Sequence, residues 1–274
     1  MKIVVIGGSG LIGSKLVNKL REHGHEAVAA SPNSGVNTLT GEGLAEVLNG
    51  ASVVVDVSNS PSFEEAAAMN FFTTATGNLL RYEQVAGVRH HVALSVVGTD
   101  RLAERRPSDA EKTIRGYFRA KLAQEKLIAE SSIPFSIVHA TQFFEFFKSI
   151  ADASSDGVTV RLAPVLIQPM AANDVAEAVG RVAVGAPVNR IIDVAGPQQF
   201  RLDEFVRQGL LDHNDPRTVV ADPAAGYFGI EVDERALVPC KNAQLGETRF
   251  ETWLAQSAKS ITSATPQSTV GASR

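Results

Sequence analysis

A chain of 274 residues with 44% apolar side chains can bury one large domain, or a core with a smaller lobe attached. Its formal charge of −4 supplies no concentrated basic face for nucleic acid, and no apolar run is long enough to cross a bilayer. The single cysteine, Cys240, excludes an internal disulfide and points to a reducing compartment.

The first apolar run, Ile3 to Ile6, is too short for a signal peptide and ends in glycines, so a cytoplasmic protein is expected. That run, a glycine-rich turn and an amphipathic segment through Leu16 and Leu20 predict strand, tight turn and helix. Gly7, Gly10 and Gly13 are spaced G-x-x-G-x-x-G, with Gly8 as an extra glycine in the bend. Such a turn lets backbone N–H groups of Gly7, Gly8, Ser9, Gly10, Leu11, Ile12 and Gly13 approach a pyrophosphate at the start of a helix.

Further strands are expected at His25–Ser31, Ala51–Val57, His91–Val96, Pro134–His139 and Ile191–Val194. Between them, helices are predicted over Gly41–Leu48, from about Ser62 to Ala86, and over Tyr117–Glu130 and Ala171–Val184. Ser62 with Glu65, and Asp174 with Glu177, have capping-box spacing, and Gly77 marks a break in the long helix. Gly98 to Gly116 reads as a polar loop of mixed charge. After Gly196-Pro197, a helix is expected at Leu202–Leu211, then irregular chain, then an amphipathic stretch with Phe250, Trp253 and Leu254. Ser257 to Arg274 has almost nothing to bury and is expected to be a disordered tail. The alternation predicts a Rossmann-type, doubly wound parallel sheet with a small mixed C-terminal lobe. Residues 1–195 would form the core, with lobe segments inserted from about 140, and residues 196–256 the lobe.

Ligands of such sheets lie beyond the carboxyl ends of the strands. The residues to inspect are therefore Ser31, Asn33, Ser34, Ser58, Asn59, Ser60, Ser95, Val97, Thr141, Gln142, Phe143 and Phe144, besides the glycine loop. Tyr117 and Lys121 stand four apart on one helix face, where an ammonium can lower a phenol's pKa and make it a general acid toward a carbonyl. Ser95 could help to hold the same oxygen. His90-His91 has no ligand partner at zinc spacing, and His139 reads as packed.

GGSGLIG, NLLRYEQVAGVRHHVALSVVG, YFRAKLAQEKLI and PFSIVHATQFFEF together resemble the short-chain dehydrogenase/reductase superfamily, in its atypical NmrA-like branch. The resemblance implies a nicotinamide cofactor on the glycine loop and maps the catalytic serine, tyrosine and lysine onto Ser95, Tyr117 and Lys121. It also implies a substrate pocket under the C-terminal segments, for which Val97 and Thr141 to Phe144 are the candidates. Ser31, Asn33 and Ser34 occupy the position where an acid would select NAD, so NADP(H) is favoured over NAD(H). The function expected is hydride transfer to a small, fairly apolar carbonyl, enone or quinone. The alternative is a non-catalytic NADP(H)-binding regulator that reports redox state. An epimerase or lyase would use the same residues. A small-molecule partner is expected, with neither nucleic acid nor membrane, and a homodimer is left open.

Overall fold

A computed structural model describes residues 1–105, 114–240 and 242–263. The chain opens β1 (Lys2–Ile6), α1 (Leu11–Glu22), β2 (Glu26–Ala30), α2 (Leu44–Leu48), β3 (Val53–Asp56), α3 (Glu65–Ala86) and β4 (His90–Val96). It continues with α4 (Thr99–Glu104), α5 (Arg115–Glu130), β5 (Phe135–Ala140), α6 (Phe147–Ala153), β6 (Thr159–Leu162), β7 (Leu166–Ile167) and α7 (Ala172–Val184). It closes with β8 (Ile191–Ala195), β9 (Phe200–Arg201), α8 (Leu202–Asp212), β10 (Thr218–Ala221), β11 (Gln244–Leu245) and α9 (Phe250–Ser263).

Seven strands form one sheet in the order β11-β8-β5-β4-β3-β1-β2, every neighbouring pair parallel. Parallel strands need helical crossovers, so both faces are covered and the strands read as continuous apolar runs. Side chains alternate between the two faces. Val5 and Ile3 pack with Leu16, Val175 and Val179 of α1 and α7, whereas Val4 and Ile6 pack with Leu44, Leu48 and Leu79 of α2 and α3. The register pairs Ile6 with both Ala30 and Asp56, and Ser95 with His139, so the ends of the central strands lie level.

Several expectations need correction. The long helix α3 runs unbroken through Gly77, because a single glycine costs only about 1 kcal/mol against the tertiary packing of Phe72, Ala75 and Leu79. Its cap is Glu64, whose carboxylate accepts from Ala66 and Ala67 N–H at 3.2 and 3.0 Å; Ser62 instead accepts from Glu64 N–H. Asp174 is no cap either: Ala171 holds that position, and the Asp174 carboxylate takes Thr248 N–H and Oγ1–H at 2.8 Å each. The segment read as a polar loop contains α4, whose Leu102 is fully buried, while residues 106–113 lie outside the described residues. Helix α9 extends to Ser263, so the first residues assigned to the tail are helical; residues 264–274 lie outside the described residues.

Phe144, Phe147, Phe205 and Phe250 of the C-terminal segments share one hydrophobic cluster with Phe72 of α3, Leu102 of α4 and Phe118 of α5, and the same segments form the small pairs β6–β10 and β7–β9. They also return β11 to the main sheet, with Gln244 opposite Val194.

Candidate functional site

One cavity of about 1300 Å³ lies at the carboxyl ends of the strands. It begins at the glycine loop, where close packing leaves no room for side chains. A Cβ on Gly13 would sit 2.1 Å from Gly7 O, and one on Gly8 would sit 2.7 Å from Ala29 Cα. Gly7 has φ +77°, which favours glycine, and its Cβ would meet Ser58 N at 2.8 Å. Gly10 ends the turn without a side-chain cap, and the first turn of α1 holds no acid, so its orphan N–H groups remain available to a ligand. Gly7, Ser9, Gly10, Leu11 and Ile12 line the cavity; Gly8 and Gly13 serve the packing behind it. A glycine cradle on a helix N-terminus with no competing acid fits a pyrophosphate.

The adenosine end is lined by Ala30, Ser31, Pro32, Val36, Asn37, Thr38 and Leu39, with neither a carboxylate nor a cation. Ser34 does not line it: its hydroxyl accepts Ser31 N–H at 2.9 Å and closes the turn. Asn33 is exposed and lies outside the lining as well. Of the next loop, Ser58 and Asn59 line the cavity, whereas Ser60 is buried, giving its hydroxyl to Ser62 O at 2.7 Å. Ser58 donates to Asp56 Oδ1 at 2.6 Å.

Ser95, Tyr117 and Lys121 all line the middle of the cavity, although Ser95 comes from β4 and the other two from α5. Their bonding departs from the expected arrangement. Ser95 Oγ donates to Glu125 Oε1, the oxygen that also lies 2.9 Å from His139 Nε2. The serine hydrogen is thus directed away from any substrate oxygen. Lys121 Nζ donates to Leu94 O at 2.9 Å and to Gln124 Oε1, and lies 4.6 Å above the Phe72 ring. Burial lowers its pKa to about 8, against the pull of Asp56 and Glu125. The Tyr117 ring packs edge-on against Phe63, Phe72 and Phe118, and burial pushes its phenol pKa up. Lys121 does not offset that rise, so Tyr117 is a neutral phenol at physiological pH.

Beyond Tyr117 the cavity opens into a chamber under the lobe. Thr141, Gln142 and Phe143 line it as expected. Val97 and Phe144 do not. Val97 is buried with its N–H on Ala140 O, and Phe144 packs into the shared hydrophobic cluster 5.0 Å from the Phe250 ring. Further walls, among them Phe63, Phe71, Phe118, Ile150, Arg161, Tyr227 and Phe228, were not among the expected residues. Tyr227 and Phe228 lie in a glycine-flanked loop whose Phe228 O accepts Ile114 N–H at 3.0 Å, joining it to the start of α5. An aromatic pair between Gly226 and Gly229 was the only sequence sign of it. The other two conspicuous histidines sit on the sheet away from the cavity: His90 Nε2 is 2.8 Å from Ser136 Oγ, and His91 Nδ1 is 2.8 Å from Glu83 Oε1.

The model of a family described as NAD(P)H-binding matches residues 7–184, from the glycine loop to the end of α7. No curated protein matches the chain. Among solved structures, a short-chain dehydrogenase/reductase superfamily protein from Agrobacterium tumefaciens with bound NAD has a TM-score of 0.71 at 15% identity, over 96% of this chain and 98% of that one. A UDP-glucose 4-epimerase from Thermotoga maritima, with UDP-glucose, has a TM-score of 0.69 at 15% identity, covering 96% and 99%. A dTDP-4-dehydrorhamnose reductase from Bacillus anthracis, in complex with NADP, has a TM-score of 0.64 at 12% identity, covering 96% and 99%. At such identities the likeness establishes the fold. With the family match running from the glycine cradle to the end of α7, the chain belongs to the NAD(P)H-binding family and shares the fold of these structures.

Proposed function

We propose that the protein is an NAD(P)H-dependent oxidoreductase acting on a small, fairly apolar carbonyl, enone or quinone. The observation that carries this reading is the continuity of one cavity from the glycine cradle, past Lys121 and Tyr117, into an aromatic chamber. When bound, the dinucleotide supplies the hydride. The glycine loop would hold the pyrophosphate, Ser31, Asn37 and Thr38 the adenosine ribose, and the remaining N–H of Lys121 the other ribose. Tyr117 would donate the proton to the substrate oxygen as its carbon is reduced. Ser95, committed to Glu125, presents lone pairs and not a hydrogen. NADP(H) is the favoured form, because no carboxylate lines the adenosine end to repel a 2′-phosphate and several small donors remain.

Calorimetric titration with NADPH and NADH tests this first. Micromolar or tighter binding, tighter for NADPH, and abolished by Gly10→Asp in a folded protein, is expected. A panel of aldehydes, enones and quinones then tests turnover, which Tyr117→Phe should lower about 10²- to 10⁴-fold.

A second reading draws on the bonding of Ser95 to Glu125 and on the absence, among the described residues, of an ammonium against Tyr117. On that reading the protein is an NmrA-like regulator that binds NADP(H) tightly without transferring hydride. Steady NADPH consumption with any member of the panel would eliminate it.

A further inference from the structure

Asp56, Gln124 and Lys121 form a buried string at the carboxyl end of β3, each only 2% exposed, so water cannot stand in for the bonds between them. The two oxygens of the Asp56 carboxylate serve different walls of the cavity. Oδ1 accepts both the N–H and the hydroxyl of Ser58, at 2.9 and 2.6 Å. Ser58 lines the groove against the glycine turn, where a Cβ on Gly7 would meet its N at 2.8 Å. Oδ2 accepts the Gln124 amide at 3.0 Å, and Gln124 Oε1 in turn accepts from Lys121 Nζ.

The carboxylate fixes the direction of this second arm. An ionised Asp offers only acceptors and an ammonium only donors, so the amide between them must turn its NH₂ to Asp56 and its oxygen to Lys121. An Asn at position 56 could still receive Ser58, as in any Asx turn, but would no longer impose that direction on Gln124. Leu94 O takes a second N–H of Lys121 at 2.9 Å and the Phe72 ring lies 4.6 Å from Nζ, which leaves one N–H for the cavity. A buried carboxylate is costly unless donors and a nearby cation compensate it, and the Ser58 turn by itself does not require the charge.

We propose that Asp56 is a positioning residue for the dinucleotide: through Gln124 it aims the Lys121 ammonium, and through Ser58 it fixes the loop beside the glycine turn. One buried carboxylate thereby sets both walls of the groove. The role at the ribose rests on the oxidoreductase reading; the bond network itself does not. Asp56, together with Glu125, also opposes the burial that pulls the Lys121 pKa down to about 8. Among the described residues these are the charged groups acting on the ammonium, Asp56 from β3 and Glu125 from its own helix, while α3 supplies the Phe72 ring and β4 the Leu94 carbonyl. Tyr117, one turn earlier on α5, stays neutral, and His91 of β4, bonded to Glu83 of α3, lies within reach of the Asp56 charge.

The test labels the lysine Cε atoms of the cofactor-free full chain with carbon-13, assigns Lys121 by the signal lost in Lys121→Met, and follows its titration by NMR. NADPH affinity is then measured by calorimetry at pH 7. Asp56→Asn and Gln124→Leu should each move the Lys121 midpoint down by at least about half a pH unit and weaken NADPH binding at least about fivefold. Gln124→Leu leaves the Asp56–Ser58 bonds in place and carries the test if Asp56→Asn does not fold. Ser58→Ala cuts only the loop arm, and should weaken NADPH binding while leaving the midpoint within about 0.2 unit. An unmoved midpoint in Gln124→Leu or in folded Asp56→Asn, or the same shift in all three variants, would overturn the network. NADPH bound equally by the wild type and the folded variants would overturn the positioning role alone. No NADPH binding by the wild type would overturn the oxidoreductase reading and the role at the ribose with it, and the titration would still decide the network.

Discussion

Ser95 and Glu125 are joined by a buried hydrogen bond in which the serine hydroxyl is the donor and the carboxylate, shared with His139, is the acceptor. The bond ties the end of β4 to the middle of α5 and sets the hydrogen of Ser95 away from the cavity. Both side chains are buried, and the register places His139 directly beside Ser95 on the neighbouring strand. The consequence is a division of labour different from a serine that polarises a carbonyl.

Ser95→Ala should therefore act mainly on stability. Removing one donor to a buried carboxylate costs about 1–3 kcal/mol, while turnover on a true substrate falls by less than about tenfold. Tyr117→Phe should do the reverse, lowering turnover strongly and leaving stability within about 1 kcal/mol, because the hydroxyl makes no hydrogen bond among the described residues. Urea denaturation and steady-state kinetics on the two variants decide between these assignments.

Lys121 makes a pH-dependent prediction. Burial depresses its pKa to about 8 from an unfolded value of 10.5. Between those values the unfolded chain holds the extra proton, so this lysine makes stability rise with pH from about 8 upward. The wild-type protein should gain on Lys121→Met between pH 8 and 10, measured by denaturation of the cofactor-free chain. If Lys121 meets the ribose as proposed, NADPH affinity should fall over the same interval in the wild type and stay flat in the variant.

The buried pair Glu83–His91 predicts the opposite slope. Burial alone would lower the His91 pKa, but the carboxylate at 2.8 Å and the charge of Asp56 outweigh it, and the net shift is upward. A raised histidine contributes stability that is complete below its unfolded pKa of 6.5 and is lost as pH rises through the folded value. Glu83→Gln should cost roughly 3–5 kcal/mol at pH 6, and less at pH 9. Chemical denaturation at the two pH values reads the difference.

Gly13→Ala should weaken both fold and cofactor binding. Its Cβ would lie 2.1 Å from Gly7 O, so helix and loop must separate and the cradle distort. A loss of about 1–3 kcal/mol and at least about tenfold weaker NADPH binding are expected, whereas Gly24→Ala meets open space and pays only for its φ of +78°.

The glycine cradle and the strand-helix alternation were legible because each is a local pattern on a fold with fixed handedness, whereas the long polar insert between Ser95 and Tyr117 left their convergence open, and only the tertiary structure puts both on one cavity with Lys121. A strand such as Val53–Asp56 is apolar on both faces because helices cover both, and the carboxyl-end rule then points to the loops. Phe144 escaped that logic. It lies two residues from Gln142, and the turn beginning at Phe144 sends its ring into the hydrophobic cluster while Phe143 stays on the cavity.

What the sequence alone determined, then, is the parallel sheet and the glycine turn, consequences of short-range periodicity and turn chemistry, and, through its motifs, the resemblance to an NAD(P)H-binding family. Which polar groups are free was decided only by tertiary packing. Glu125 accepts the Ser95 hydrogen from 30 residues along the chain, and His139 shares that carboxylate from the adjacent strand. Arg161 and Tyr227 reach the same chamber as Gln142 from separate elements of the lobe. Hydrogen-bond partners and cavity walls depend on distances between residues far apart in sequence, and no local pattern encodes those distances.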